Sequence, residues 1–150
     1  MSAKQVSLHI EGIPESLVLV RAALRGLGQE AEFSPAAIGN IELCVTEAAN
    51  NCIEHALANR IERDVRIDWK EFPDRLELAV CDHGRTLPPG LLAGADESLL
   101  EIDPADPQTL RTGGRGLALI KTLMDEVSYS TDEGCNRLIM VLRRPTADPD

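Results

Sequence analysis

Three polar residues recur four positions apart in one strongly helical segment. Glu47, Asn51 and His55 are each separated by about one helical turn, so we expect them on one face of that helix. A glutamate can act as general base toward a hydroxyl or a water, and an asparagine oxygen can bind Mg²⁺ whose other ligands are phosphates. The alternative is a solvated face with an ordinary glutamate–histidine pair. Asparagine is a poor helix former, so the Asn50-Asn51 pair favours the functional interpretation.

A second candidate lies where a strand pattern ends. Asp82 follows the apolar stretch 76–81, and Gly84 comes two residues later. A carboxylate at a strand end can accept a hydrogen bond from an exocyclic amine, and a glycine lets the backbone approach a ring closely. The alternative is an ordinary Asp-His-Gly turn that ends the strand, with His83 as a surface residue.

A third candidate is the glycine-rich segment 113–116, which precedes a helical pattern. Free backbone amides and the positive end of a helix dipole can bind phosphate there, and Arg111 and Arg115 add positive charge. The alternative is a flexible loop that ends where the helix begins. The sequence contains neither a P-loop motif nor Gly-x-Gly-x-x-Gly after a strand, which argues against a Walker-type site and a dinucleotide-binding fold.

Hydrophobic spacing predicts the elements that position these residues. Ser34 suits an N-cap and Pro35 the first helical position, so the helix that carries Glu47 is predicted to begin there and to run to about Ala58. The order of elements predicts an α/β (α+β) two-layer sandwich, with a mixed, mostly antiparallel sheet and helices on one face. The other predicted elements are a helix from 14 to about 28, a helix at 113–125, and strands at 4–11, 64–72, 75–81, 127–131 and 138–143.

Length and composition set wider limits. The 150 residues favour one domain, which we place at 1–144 with a long irregular segment at 83–112 and a disordered tail at 145–150. A net charge of -10 argues against a general nucleic-acid surface. No apolar run reaches the roughly 20 residues of a membrane span and no signal-peptide pattern begins the sequence, so a cytoplasmic protein is expected. The four cysteines are predicted to be buried free thiols.

The three segments, in this order, resemble the signature of the GHKL ATPase superfamily, and the length and layout resemble the anti-sigma-factor serine kinases of the RsbW type. Residues 42–56 are similar to the N box, 81–84 to the first glycine box, and 114–120 with 124–127 to the second. The resemblance covers roughly residues 5–144. It implies a Bergerat-type ATP-binding fold in which residues 83–112 form the ATP lid.

The resemblance also implies roles for individual residues, with ATP and Mg²⁺ as cofactors. Glu47 would be the catalytic base, Asn51 the Mg²⁺ ligand and Asp82 the residue that binds the adenine amino group. Arg21, on the first helix, matches a position associated with partner contacts. The other nucleotide-binding residues predicted on this basis are His55, Gly84, Thr86, Arg111, Gly114, Arg115, Gly116, Leu117 and Asn136.

Two departures from the family pattern bear on nucleotide binding. Many members carry a second small residue, usually glycine, after the first box, where this chain has Arg85-Thr86. Many also have Gly-Thr near the last hairpin, where this chain has Gly134-Cys135-Asn136. We expect Thr86 to serve in place of the small residue, and Asn136 to donate or accept in place of the threonine hydroxyl.

The function that the resemblance implies is an ATP-dependent serine/threonine kinase that is also an anti-sigma factor. It would sequester a sigma factor or similar regulator and phosphorylate a small anti-anti-sigma (STAS-type) antagonist, and it would form a homodimer. One alternative is an ATP-gated protein-binding module with little or no kinase activity. Another is a partner-switching kinase whose regulator is unrelated to transcription. A detached histidine-kinase domain is disfavoured because no dimerisation helix with a phosphoacceptor histidine precedes the segment.

Overall fold

A five-stranded sheet is the frame of the protein in the computed structural model, which describes residues 3–95 and 115–145. The strands are β1 (Lys4–Glu11), β2 (Asp64–Glu71), β3 (Arg75–Asp82), β4 (Glu126–Asp132) and β5 (Cys135–Arg143). They pair in the order β1-β2-β3-β5-β4, and every pairing is antiparallel. The predicted two-layer α+β architecture is confirmed, and in the described part of the chain its sheet is wholly antiparallel rather than mixed.

The α-helices within the described residues are α1 (Ser16–Glu30), α2 (Pro35–Asn51), the short α3 (Leu91–Gly94) and α4 (Arg115–Leu123). Helix α2 is central, because it packs against α1, α4 and strand β3. Its predicted start is confirmed, since the Ser34 Oγ atom accepts a hydrogen bond from the Ala37 amide at 3.1 Å and Pro35 is the first helical residue. No helix within residues 3–95 or 115–145 is both long and apolar enough to cross a lipid bilayer.

The end of α2 differs from the prediction of one continuous helix to about Ala58. The α-helix ends at Asn51, and Cys52–Ala56 form a single π-helical turn. The Arg63 guanidinium stabilises this wider turn by donating to the carbonyls of Ile53 and Leu57, both at 3.2 Å. Hydrophobic spacing did not predict this change of helix type, because it shows only which face of a helix is buried. The hydrogen bonds from Arg63 come from a residue outside the helix.

The core lies between the inner face of the sheet and the helices. As the shortage of aromatic residues predicts, it is mainly aliphatic, although Trp69 is 2% exposed and packs edge-to-face on Phe33 with ring centroids 6.2 Å apart. The largest fully buried aliphatic side chains are Val20, Leu24, Ile41, Val45, Val65, Ile67, Leu76, Leu78, Leu117, Ile120 and Met140.

Three of the four cysteines, and the turn of the last hairpin, agree with the predictions from the sequence. Cys44, Cys52 and Cys81 are buried free thiols as predicted, whereas Cys135 is a half-buried free thiol because it begins the strand after an exposed turn. That turn contains Glu133 and Gly134 with φ of 49° and 77°. Two consecutive positive φ values are typical of the type I′ turn that matches the twist of a β-hairpin.

Candidate nucleotide-binding site

Three of the predicted residues meet where α2 faces the start of α4. Glu47 is half-buried in the last part of α2, and Asn51 is the last residue of that helix. A β-carbon at Gly116 would lie 2.8 Å from Glu47 Oε2 and 3.6 Å from Asn51 Nδ2. A side chain at position 116 would therefore require the Glu47 carboxylate to move, whereas glycine lets α4 begin in contact with it. The fold thus joins the N box to the second glycine box.

Glu47 also affects its neighbour within α2. Burial, followed by the Glu47 charge, raises the pKa of the Cys44 thiol to about 12. A thiol with this pKa stays neutral at physiological pH.

Asp82 ends β3 and is 5% exposed. Its Oδ1 atom accepts hydrogen bonds from the Gly84 amide at 2.7 Å and from Asn136 Nδ2 at 2.9 Å. Its Oδ2 atom accepts a hydrogen bond from the Cys52 thiol at 3.2 Å. A buried carboxylate needs such donors to offset the loss of water, and the three together fix its orientation.

A cavity of about 420 Å³ opens beside Asp82. Its wall combines apolar side chains with a few polar ones, a combination typical of small-molecule sites. Five residues predicted from the sequence line it: Asn51, His55, Asp82, Thr86 and Leu117. The apolar part of the wall comes from Ala48, Leu87, Leu117, Tyr129 and Leu138.

His55 lies in the π-helical turn that follows Asn51, and it lines the same cavity as Asn51. Its side chain is 72% exposed, and its Nε2 atom lies 4.0 Å from Glu54 Oε2. The alignment of His55 with Glu47 and Asn51 in one row stays a prediction.

Gly84 has a different role from the predicted approach to a ring. A β-carbon at this position would overlap the carbonyl group of Ala56, in the π-helical turn. The adjacent Arg85 amide donates a hydrogen bond to that carbonyl oxygen at 2.8 Å. The glycine therefore lets the chain after β3 pack directly on the end of the N box segment.

Asn136 positions the site from behind the cavity wall. It is 1% exposed, and besides Asp82 its Nδ2 atom donates to the carbonyls of Gly84 at 3.0 Å and Arg85 at 3.3 Å. Its Oδ1 atom accepts from Thr131 Oγ1 at 3.1 Å. The side chain does not line the cavity. These contacts support a positioning role in place of the direct nucleotide contact expected from the sequence.

Two wall residues were missed by the sequence interpretation. Cys52 lines the cavity and donates to Asp82, and its position beside Asn51 was the signal available in the sequence. Tyr129 also lines the cavity, and its hydroxyl oxygen accepts a hydrogen bond from the Leu87 amide at 3.0 Å. No local motif marks Tyr129, because its relevance depends on the pairing of β4 with β5.

The remaining predicted residues lie elsewhere. Arg21 is exposed on α1, and its Nε atom lies 3.4 Å from the Oγ1 atom of Thr46, the residue before Glu47. Arg115 is the half-buried first residue of α4. Arg111 and Gly114 lie outside the described residues, as do most of the predicted lid and the tail at 146–150.

The chemistry of this site suits a purine nucleotide. Apolar walls can hold a base, the buried Asp82 carboxylate can accept from an amine, and the start of α4 faces Glu47 and Asn51, where phosphates would be bound. No cluster of three histidine, cysteine or acidic side chains within the described ranges could hold a metal.

Comparisons with known proteins agree with this geometry. The family model described as "Histidine kinase-like ATPase domain" matches residues 10–142. The "Serine-protein kinase RsbW" of Listeria innocua is 32% identical over 134 residues, which are 87% of this chain and 82% of that protein. The protein of the same name from Bacillus subtilis is 28% identical over 137 residues, or 89% of this chain and 82% of that protein.

Two solved structures share the fold. The chain aligns with a crystal structure of the RsbU and RsbW domains of a Mycobacterium tuberculosis protein at a TM-score of 0.63 and 18% identity, over 93% of this chain and 33% of that longer one. It aligns with the crystal structure of the SiaB-SiaC complex from Pseudomonas aeruginosa at a TM-score of 0.68 and 15% identity, over 91% of this chain and 88% of that chain. The chain belongs to the histidine kinase-like ATPase family and, within it, to the group of RsbW-type serine-protein kinases.

Proposed function

We propose that this protein is an ATP-dependent serine/threonine kinase and anti-sigma factor. It would sequester a sigma factor or similar regulator and phosphorylate a small anti-anti-sigma protein of the STAS type. The observation that carries the proposal is the approach of Gly116 to Glu47 and Asn51, next to a cavity that contains a buried Asp82. This arrangement supports a role for Glu47 as the base and a phosphate-binding end beside it. The relatives named serine-protein kinases support the same conclusion.

In the proposed mechanism, the chain supplies a base and fixed positions. Glu47 accepts the proton of the attacking serine or threonine hydroxyl. Asn51 would hold Mg²⁺, which would neutralise phosphate charge. Asp82 accepts a hydrogen bond from the adenine amine, and Leu117 packs along the base. Most of the rate enhancement would come from positioning these groups.

Several finer features belong to the same proposal. We place a single kinase domain at 1–144, with the ATP lid at 83–112, and Arg111, Gly114 and Arg115 near the phosphates. Arg21 would contact the partner proteins, since its contact with Thr46 puts it beside the Glu47 segment on the exposed side of α1. A homodimer in the cytoplasm, where a sigma factor and ATP are both present, completes the proposed setting.

The test is transfer of phosphate from labelled ATP to a purified STAS-type antagonist. We expect label on a serine or threonine of the antagonist with the wild-type protein, and loss of that label with Glu47→Gln. Glu126→Gln is a matched control, because Glu126 is an exposed acid of β4 that is paired with Arg143 and does not line the cavity. Full labelling by Glu47→Gln, or none by the wild type, would contradict the kinase proposal.

A second candidate is the ATP-gated binding module, which one feature of the cavity favours. Arg85, Thr86 and Pro88 line the wall at the segment where many relatives carry a small residue, and such side chains restrict how a phosphate chain can lie. In this case ATP would tighten binding of the partner, measured by calorimetry, while no phosphate is transferred. Binding would then be equally strong with Glu47→Gln.

A further inference from the structure

The Cys52 side chain lies between the two halves of the candidate site. It follows Asn51 directly and is the first residue of the π-helical turn. It is 7% exposed, lines the cavity, and donates its thiol proton to Asp82 Oδ2 at 3.2 Å. The thiol therefore connects the helix that carries Glu47 to the carboxylate at the other end of the cavity.

The hydrogen bonds of Asp82 show why this thiol matters. A carboxylate has about four acceptor directions, two on each oxygen. Among the described residues, the Gly84 amide and Asn136 Nδ2 occupy both directions of Oδ1, and the Cys52 thiol occupies one of Oδ2. One direction of Oδ2 is left for a donor in the cavity. That donor must be an N–H or O–H group, because an ionised carboxylate only accepts.

The hydrogen bond from the Cys52 thiol fixes the direction of Oδ2, which van der Waals packing around the carboxylate does not do. Without the Cys52 donor, Oδ2 keeps two open acceptor directions, and the carboxylate plane is fixed only through Oδ1. The structure shows the thiol as the donor to this oxygen, at 3.2 Å from Oδ2. The π-helical turn places its sulfur within reach of β3.

We propose that Cys52 is a positioning residue that sets base selection: its thiol fixes Asp82 so that Oδ2 accepts one hydrogen bond from the exocyclic amine of adenine. This inference rests on the proposed nucleotide-binding function and specifies which residue makes the site selective. A purine with an amine at this position fills the remaining acceptor direction of Oδ2, whereas a purine without it leaves that one direction unfilled inside the cavity.

The experiment compares two ligands by calorimetry in buffer with Mg²⁺: ATP, and purine riboside triphosphate, which lacks the exocyclic amine. We expect the wild type to bind ATP about tenfold more tightly than the analogue, the typical effect of one hydrogen bond to a charged group. Cys52→Ala should reduce this preference to about twofold, mainly by weakening ATP binding. Cys52→Ser keeps a hydroxyl donor and should restore most of the preference.

Two further variants separate positioning from packing. Cys44→Ala removes a fully buried thiol of α2 that, unlike Cys52, does not line the cavity, so it should lower stability and leave the ratio of the two affinities unchanged. Cys52→Val fills the volume without a donor and should behave like Cys52→Ala, which covers the case in which the alanine variant does not fold.

The outcomes separate the inference from the function on which it rests. If the wild type binds neither nucleotide, the proposed function fails and this inference fails with it. If the wild type prefers ATP and both Cys52→Ala and Cys52→Val retain that full preference, the nucleotide site stands and the positioning role of Cys52 is wrong. A reduced preference in both variants, restored by Cys52→Ser, supports the role.

Discussion

Gly116 lies so close to Glu47 that a β-carbon at position 116 would be 2.8 Å from the Glu47 Oε2 atom. The contact joins the start of α4 to the last part of α2, two helices that are far apart in the sequence. A side chain at position 116 would therefore displace the Glu47 carboxylate, which is the group proposed as the base. The glycine lets this carboxylate lie directly beside the start of α4.

Gly116→Ala should therefore impair phosphate transfer more than it impairs folding. A displacement of about 1 Å at a catalytic group can reduce the rate about 100-fold, and we expect a loss of that order. The measurement is the initial rate of antagonist phosphorylation, together with the melting temperature. Gly39→Ala is the matched control. Gly39 lies on the same helix as Glu47, and a β-carbon at this position would meet nothing within 4 Å. A wild-type rate in Gly116→Ala would refute this account.

Gly84→Ala should instead destabilise the whole protein. The new methyl group would overlap the Ala56 carbonyl, a backbone group fixed by its hydrogen bond from the Arg85 amide. We expect a loss of about 3 kcal/mol in the free energy of unfolding, measured by denaturant titration. Gly26→Ala, at an open position within α1, should raise stability by about 0.5–1 kcal/mol. Equal effects of the two substitutions would contradict the close packing at Gly84.

Tyr129→Phe tests how the chain after β3 is held over the cavity. The substitution removes the hydroxyl oxygen that accepts from the Leu87 amide while keeping the ring in the wall. We expect a loss of about 1 kcal/mol for this hydrogen bond, and hence roughly fivefold faster hydrogen exchange at the Leu87 amide. The Ala37 amide, held by Ser34 at the start of α2, serves as the internal reference and should not change.

The pKa of Cys44 predicts a loss of stability in alkali. Burial and the charge of Glu47 raise this pKa from the usual 9.0 to about 12 in the folded protein. Between these values the unfolded chain releases the thiol proton and the folded chain keeps it. The unfolded state then binds fewer protons, so the free energy of unfolding falls as pH rises, by about 1.4 kcal/mol per pH unit.

Comparison of the wild type with Cys44→Ala isolates this effect. The alanine variant should start less stable, because the substitution leaves a small cavity, but its stability should fall less steeply above pH 9. The quantity to compare is the slope of the free energy of unfolding against pH. The difference between the slopes of the two proteins cancels the other alkaline titrations that they share. Parallel slopes would show that Cys44 ionises as easily in the folded state as in the unfolded one.

Much of this protein follows from local sequence. Alternation of apolar and polar residues predicted β1 correctly, and the Ser34-Pro35 pair placed the start of α2 at the right residue. These features depend on a few neighbouring residues, which is why they can be read without a structure. The acid, amide and glycine motifs also indicated a nucleotide site, because residue type and spacing already limit their chemistry.

Only the tertiary structure decided how those motifs are held together. The π-helical turn after Asn51, the packing of Gly84 on Ala56 and the donation from Cys52 to Asp82 all depend on groups that are distant in the sequence. Hydrophobic periodicity cannot report them, because it is a property of one element at a time, whereas these contacts exist only where two elements meet. For the same physical reason, the sequence indicated that Asn136 belongs to the site but did not predict its hydrogen bond to Asp82.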